Sequence, residues 1–554
     1  MQNFSIQKNR KTSVIHKPER LSCIRRLLAI VLILAMVLSL AGCTMPFGGN
    51  KPKVNTSRST EATRKDFDSF IHNIFVDNVT ADSVTLNFTL AHPEDFEVPK
   101  IDPTLGEFGE DAMKRDLVKM ENDYNVLQTF DYSKLTDEQQ LIYDELMYLM
   151  KESIEGGDYI WYNEVLGPVT GIQAQLPLLL AEFHFYDKED ISIYLDVLKD
   201  VDDYFNQIIA FEKEKQKKGF FMSNQTADDI IAQCMDFINK PEENFLITDF
   251  EENISSVEGV TDAERQEFIN ENKKAITETV IPAYEALIKC LKELKSDKNN
   301  QEGLCNLKNG KEYYTYLLHV NSGSSRSVSD IESLLEQTIK MSEKKITKVL
   351  SASPDSYDEA SSVEYPYTDP TEIVEYLKKS CAEDFPDLTN VSYTIKYVPE
   401  SLQDSLSPAL YLTPALDNFS ENSIYINNGN NRDMSKIFTT LAHEGYPGHL
   451  YQATYFNEKH PHEVRSVFGN GGYSEGWGTY AELYSFQLAG LKDSVASLLQ
   501  ENTIASLCVY AKADIGIHYH GWDIKKTAEY LEEFGYSDNE VKDIYNTLLS
   551  DPAV

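Results

Sequence analysis

Two histidines six residues apart, His443 and His449, bracket the stretch His443-Glu444-Gly445-Tyr446-Pro447-Gly448-His449. Imidazole nitrogens and carboxylate oxygens are donors that zinc takes, three or four of them converging on one point. Histidines four apart on a helix, as in H-E-x-x-H, share a face and can meet at one ion. At about 100° per residue, a six-residue spacing sets the two side chains ~120° apart, so a regular helix holds them away from each other. The pair can share a metal only if the helix is interrupted between them. Pro447-Gly448 supplies the means. Proline removes a helical hydrogen bond and clashes with the preceding turn, and glycine tolerates the dihedrals that follow.

A third ligand must come from another element. In "GGYSEGWGTYAELYSF" (471–486), Glu475 and Glu482 are seven apart and share a helix face. Glu475 is the expected ligand. Glu482 is expected to hold a histidine by its free N–H. Metal hydrolases also need a donor within ~3 Å of the oxyanion of a tetrahedral intermediate. "KADIGIHYHGWD" (512–523) offers His518, Tyr519 and His520. His518 is the expected donor, with Asp514 one turn earlier to orient it, and Tyr519 and His520 are alternatives.

The elements around these residues read as mainly helical. Residues 262–294 and 327–350 carry apolar residues at helical spacing, and 369–385 starts on Asp-Pro. Strand signals are few: 391–398, 409–413 and 423–427, all rich in β-branched or aromatic residues and all just before the paired histidines. The simplest architecture is a large helical domain with a small sheet near the site. The strand "SIYIN" is a candidate for docking a peptide by strand addition. Trp477, Tyr480 and Tyr484 lie at helical spacing and read as packing residues before substrate stackers. Gly472-Tyr473-Ser474-Glu475-Gly476 matches a nucleophile elbow, but no core strand precedes it, so a serine hydrolase is disfavoured.

The chain has 554 residues and a net charge of −38, which excludes a nucleic-acid partner bound through phosphates. Its N-terminus differs from the rest. Seven Lys and Arg residues precede the apolar run "LLAIVLILAMVLSLAGC", the pattern of a secretory signal. Leu40-Ala41-Gly42-Cys43 resembles the lipobox of bacterial lipoproteins. That resemblance implies a signal peptide over 1–42 and lipidation of Cys43, with the body on the extracytoplasmic face of the cell membrane. An uncleaved anchor helix is the alternative. Without residues 1–42 the chain keeps 44 basic and 88 acidic residues, near −44. Residues 43–65 read as a flexible tether and 66–554 as one domain. That domain has five cysteines, Cys234, Cys290, Cys305, Cys381 and Cys508, with no C-x-x-C. Free thiols are expected, a Cys290–Cys305 pair being the alternative.

Three motifs together resemble a bacterial family of unknown function. They are His443/Glu444/Pro447/Gly448/His449, Glu475/Gly476/Trp477/Tyr480/Glu482 and Asp514/Gly516/His518/Gly521/Trp522. The resemblance runs from about residue 60 to the end. That family is in turn similar to zinc carboxypeptidases and oligopeptidases, whose motif often reads H-E-x-G-H-A-L-Y. Aligned on Gly448-His449-Leu450-Tyr451, this chain carries two extra residues after Glu444. The resemblance implies a gluzincin-like helical metallopeptidase with a deep cleft, one zinc per chain and Glu444 as general base. It also implies a chain shortened at its C-terminus, since family members continue past Val554. The expectation is a lipid-anchored zinc hydrolase of peptide bonds. Two alternatives stand: a metal-dependent amidohydrolase acting on non-peptide or cell-wall amides, and a binding lipoprotein without metal or activity.

Overall fold

The structure, a computed structural model, describes residues 52–553 except 169, 390, 404–405, 420 and 430–432. The signal peptide and Cys43 lie outside the described residues. The end of the expected tether is part of the body. Helix α1 (Thr60–Val79) begins inside it, capped by the Ser59 hydroxyl. Asn55 N–H donates to the Thr129 carbonyl, and Lys134 Nζ binds the carbonyls of Thr56 and Arg58.

The N-terminal half is helical. Its longest member, α2 (Lys188–Lys218), is fixed at its start by a capping box between Asp187 and Asp190. Residues 262–294 form one rod, α3 (Asp262–Ala275) and α4 (Ile281–Leu294), joined by a π turn over Ile276–Val280. The wider turn precedes Pro282, which has no N–H to offer the ladder. A buried apolar cluster including Val201, Phe205, Ile276, Tyr284 and Leu287 packs α2 against this rod.

Next come α5 (Gly310–Ser322), α6 (Val328–Ala352) and α7 (Pro370–Ser380). Both α6 and α7 start where the sequence places them, on Ser327 and Asp369 caps. The sheet follows: β1 (Ser392–Tyr397), β2 (Ala409–Leu412) and β3 (Glu421–Ile426). Its order is β1-β3-β2, with β1 parallel and β2 antiparallel to β3. The "SIYIN" segment is therefore the central strand. Both its edges are paired, so strand addition there is overturned.

The last third holds α8 (Phe438–Glu444), α9 (His449–Asn457), α10 (Gly471–Leu488), α11 (Asp493–Ile515) and α12 (Asp538–Ser550). One core joins the sheet to the site helices: Val374 and Leu377 of α7, Tyr411, Ile424 and Ile426 of the sheet, Phe438 and Leu441 of α8, and Leu450 of α9. Each fully buried Phe, Leu or Ile stabilises by about 1.5–3 kcal/mol. This core holds α8 rigid behind its polar end. Cys290 and Cys305 are both free thiols, as are the other three described cysteines, so the pairing alternative does not hold.

Candidate metal centre

Helix α8 ends on Glu444 and α9 begins on His449. Between them Gly445 leaves helical geometry (φ −107°, ψ −103°), the Tyr446–Pro447 peptide is cis, and Gly448 is neither helical nor extended (φ −79°, ψ −133°). Gly448 lies so close to the Ala442 and His443 carbonyls that a Cβ there would collide with backbone. Glycine is required at 448 for this approach, independent of φ. The outcome is that His443, in the last turn of α8, and His449, at the first position of α9, face each other. Their Nε2 atoms are 3.0 Å apart.

Helix α10 supplies the third group. Asn470 caps it, its side chain accepting from Tyr473 N–H. One face, Glu475, Gly478, Glu482 and Ser485, is buried. Glu475 Oε2 lies 3.4 Å from His443 Nε2, and Oε1 lies 3.6 Å from His449 Nε2. Zinc–ligand bonds of ~2.0–2.2 Å at a tetrahedral angle set neighbouring donors ~3.3–3.6 Å apart, which the two imidazole–carboxylate distances match, while the imidazoles at 3.0 Å are slightly closer. Among the described residues, His443, His449 and Glu475 form the cluster whose donor atoms lie within 4.8 Å of one another. Both Glu475 oxygens are buried without a hydrogen-bond partner. A buried carboxylate in that state needs a cation beside it, either a protonated imidazole or a metal ion.

Two neighbours shape the cluster. A Cβ on Gly478 would sit 2.6 Å from His443 Nε2, so glycine lets α10 lie against the imidazole. Behind the ring, Glu482 Oε2 is 3.8 Å from His443 Nδ1, on the expected side but longer than a hydrogen bond. Burial opposes charge on His443, yet Glu475 and Glu482 push its pKa up to about 10. Burial alone would raise the Glu475 carboxyl, but the two imidazoles hold it below the usual value. Glu444 is buried beside them. Burial raises its pKa against the pull of both histidines, and its Oε2 accepts the Tyr411 N–H of β2 at 3.0 Å.

His518 stands elsewhere. It lies in a π turn over Gly516–His520, and both ring nitrogens are committed to backbone. Nδ1 accepts from Leu304 N–H at 3.2 Å and Nε2 donates to the Leu548 carbonyl at 2.8 Å. Burial pushes its pKa down to about 4, so the ring is neutral. No nitrogen is left for an oxyanion, and the expected donor role gives way to a structural one. Asp514 does not orient it either. Its Oδ2 accepts from Tyr314 Oη (2.5 Å) and Ala553 N–H (3.0 Å), while Oδ1 is 3.6 Å from His518 Nε2. Tyr519 is half-buried under Lys311 Nζ, 5.1 Å from its ring, and His520 pairs with Glu332. These contacts are with residues 304–332 and the C-terminal segment, not with the histidine pair.

The Gly472–Gly476 segment is the first turn of α10, so it is no nucleophile elbow: no strand leads into it. Trp477 packs edge-on against Phe385, and its Nε1–H donates to the Pro447 carbonyl at 2.8 Å. Tyr484 donates to Asp384, and Tyr480 stacks on Tyr484. Sequence reasoning missed the roles of Gly478 and of the Tyr411 amide. Gly478 had a signal, a glycine one turn past the candidate ligand. The amide had none, because every non-proline residue carries one.

Fold and site together define a mainly helical protein with a buried two-histidine, one-carboxylate cluster at an interrupted helix. The chain belongs to the DUF885 family, described as a bacterial protein of unknown function, which it matches over residues 95–547. No curated protein matches it in sequence. Its fold is similar to a solved structure from Colwellia psychrerythraea described as a candidate lipoprotein. The TM-score is 0.75 at 17% identity, covering 89% of this chain and 90% of that one.

Proposed function

We propose that the chain is an extracytoplasmic, lipid-anchored zinc hydrolase that cleaves peptide bonds. The observation that carries this is the convergence of His443 Nε2, His449 Nε2 and Glu475 within 3.0–3.6 Å, with the Glu444 carboxylate buried alongside. These three residues would hold the ion. Zinc, when bound, lowers the pKa of water to ~7 and polarises a carbonyl.

The remaining chemistry falls to the protein. Glu444 Oε2 is engaged by the Tyr411 amide, which leaves Oε1 to take a proton from the attacking water. As the C–N bond breaks, Glu444 returns that proton to the leaving amine. The apolar core behind α8 keeps the carboxylate from swinging away. The basic and apolar leader ending at Cys43 supports a membrane-anchored location, as does the fold's likeness to a candidate lipoprotein. Among the described residues, no helix is long and apolar enough to cross a membrane.

Elemental analysis of residues 44–554 beside His449→Ala tests the metal. About one zinc per chain, lost in the variant, supports the site. Screening peptides against cell-wall and non-peptide amides then tests the substrate class, with Glu444→Gln as control. Zinc bound with cleavage of non-peptide amides alone would move the assignment to an amidohydrolase. No metal and no effect of Glu444→Gln would make it a binding protein.

A further inference from the structure

We infer that Trp477 is a positioning residue for the metal centre: its indole N–H, held on the Pro447 carbonyl, fixes the interrupted segment that sets His449 beside His443. This rests on the zinc site proposed above. The segment needs an external hold. Between α8 and α9, proline offers no N–H, and Gly445 and Gly448 lie outside helical geometry. Its backbone ties run along the chain: Gly445 N–H to Leu441 O, Tyr451 N–H to Gly445 O and Gln452 N–H to Gly448 O. The first and third fix the ends of the break to their own helices and the second ties α9 to the C-cap of α8, but none of them holds the Pro447 carbonyl. The Pro447 carbonyl sits two residues before His449, at the middle of the break, and Trp477 reaches it from a different helix.

That helix is α10, which also carries Glu475 two residues earlier. One rigid element therefore supplies a metal donor, the clearance at Gly478 for the His443 ring, and the bond that locates His449. The indole is itself braced, edge-on to Phe385 at 6.1 Å and against Tyr480 at 5.6 Å. Its N–H direction is set by packing as well as by the bond. Partners that orient ligands from outside the coordination sphere typically govern metal affinity by ~10–100-fold.

The test is zinc affinity of Trp477→Phe by chelator competition, with cobalt(II) absorption as a second readout of ligand geometry. Phenylalanine keeps an aromatic ring against Phe385 and deletes the N–H. The expected result is ~10–100-fold weaker zinc binding and an altered cobalt spectrum. The metal-free thermal midpoint should stay close to that of the parent chain. Should Trp477→Phe fail to fold, 3-benzothienylalanine at 477 replaces the N–H by sulfur in a ring of the same shape, and the same loss is expected. Parental zinc affinity and an unchanged spectrum in either variant overturn the inference and leave the metal site standing. If the parent chain takes up no zinc, the metal site falls and this inference with it.

Discussion

His443 and His449 are six positions apart in sequence and on different helices, yet their Nε2 atoms lie 3.0 Å apart. The four residues between those helices, 445–448, contain no helical turn. A site of this kind depends on whatever holds two helix ends in register: here the shared apolar core, the Tyr451–Gly445 backbone bond and the Trp477–Pro447 bond from α10.

Gly478→Ala places a methyl group 2.6 Å from His443 Nε2. The imidazole must rotate or α10 must withdraw. Overpacking of this kind costs about 1–3 kcal/mol. The expected outcome is a lowered denaturant midpoint together with loss of stoichiometric zinc, read by elemental analysis on the folded fraction.

Glu444→Gln keeps the volume and a hydrogen-bond acceptor for the Tyr411 amide but removes the base. Zinc content should be unchanged. Peptide hydrolysis should fall by ~10²–10⁴-fold in kcat, the usual share of general acid–base catalysis. Unchanged turnover in a zinc-loaded variant would remove Glu444 from the mechanism.

His518→Ala separates structure from catalysis. It deletes two hydrogen bonds to backbone and leaves the Leu304 amide and Leu548 carbonyl without their partner. Each orphaned buried group costs about 1–3 kcal/mol. The variant should be markedly less stable to denaturant, while its folded fraction binds zinc and turns over substrate at the parental rate. A large loss of kcat with full stability would restore a catalytic role.

Glu212, fully buried on α2, gives a pH dependence. Burial lifts its carboxyl from an ordinary 4.5 to about 7 against the pull of Lys215, whose Nζ is 3.8 Å away. That ammonium is shared with Glu164 and the Asn163 carbonyl, each at 2.7 Å. Because the folded pKa is raised, the folded state binds more protons than the unfolded state between about 4.5 and 7. This contribution is fully present below the unfolded value and is lost as pH rises through 7. Glu212→Gln should melt close to the parent at acidic pH and above it at pH 8, by calorimetry at both values. An equal difference at both pH values would show that Glu212 does not titrate there.

Much of the site could be read from residue types and spacing. His443, Glu444, His449 and Glu475 were legible because few donors suit a metal and Pro447-Gly448 announces a break. Helix starts at Ser327 and Asp369 were legible because capping is local chemistry. The strand segments were legible too, but their order was not. Pairing of β3 between β1 and β2 depends on residues up to some thirty positions away, and that order removed the proposed peptide-docking edge.

His518 shows the same limit from the other side. Its type and its position after Asp514 suggested an oxyanion donor, but a ring's role is set by which groups reach its nitrogens. Here those groups come from Leu304 and Leu548, brought in by long-range packing. The amino-acid sequence by itself determined the candidate donors, the helix interruption and the mainly helical class, because each follows from short-range chemistry. Only the tertiary structure decided that His449 meets His443, that Gly478 clears the ring, that the Tyr411 amide holds Glu444 and that His518 serves the scaffold. Those outcomes depend on distances between residues that the chain brings together only when it packs.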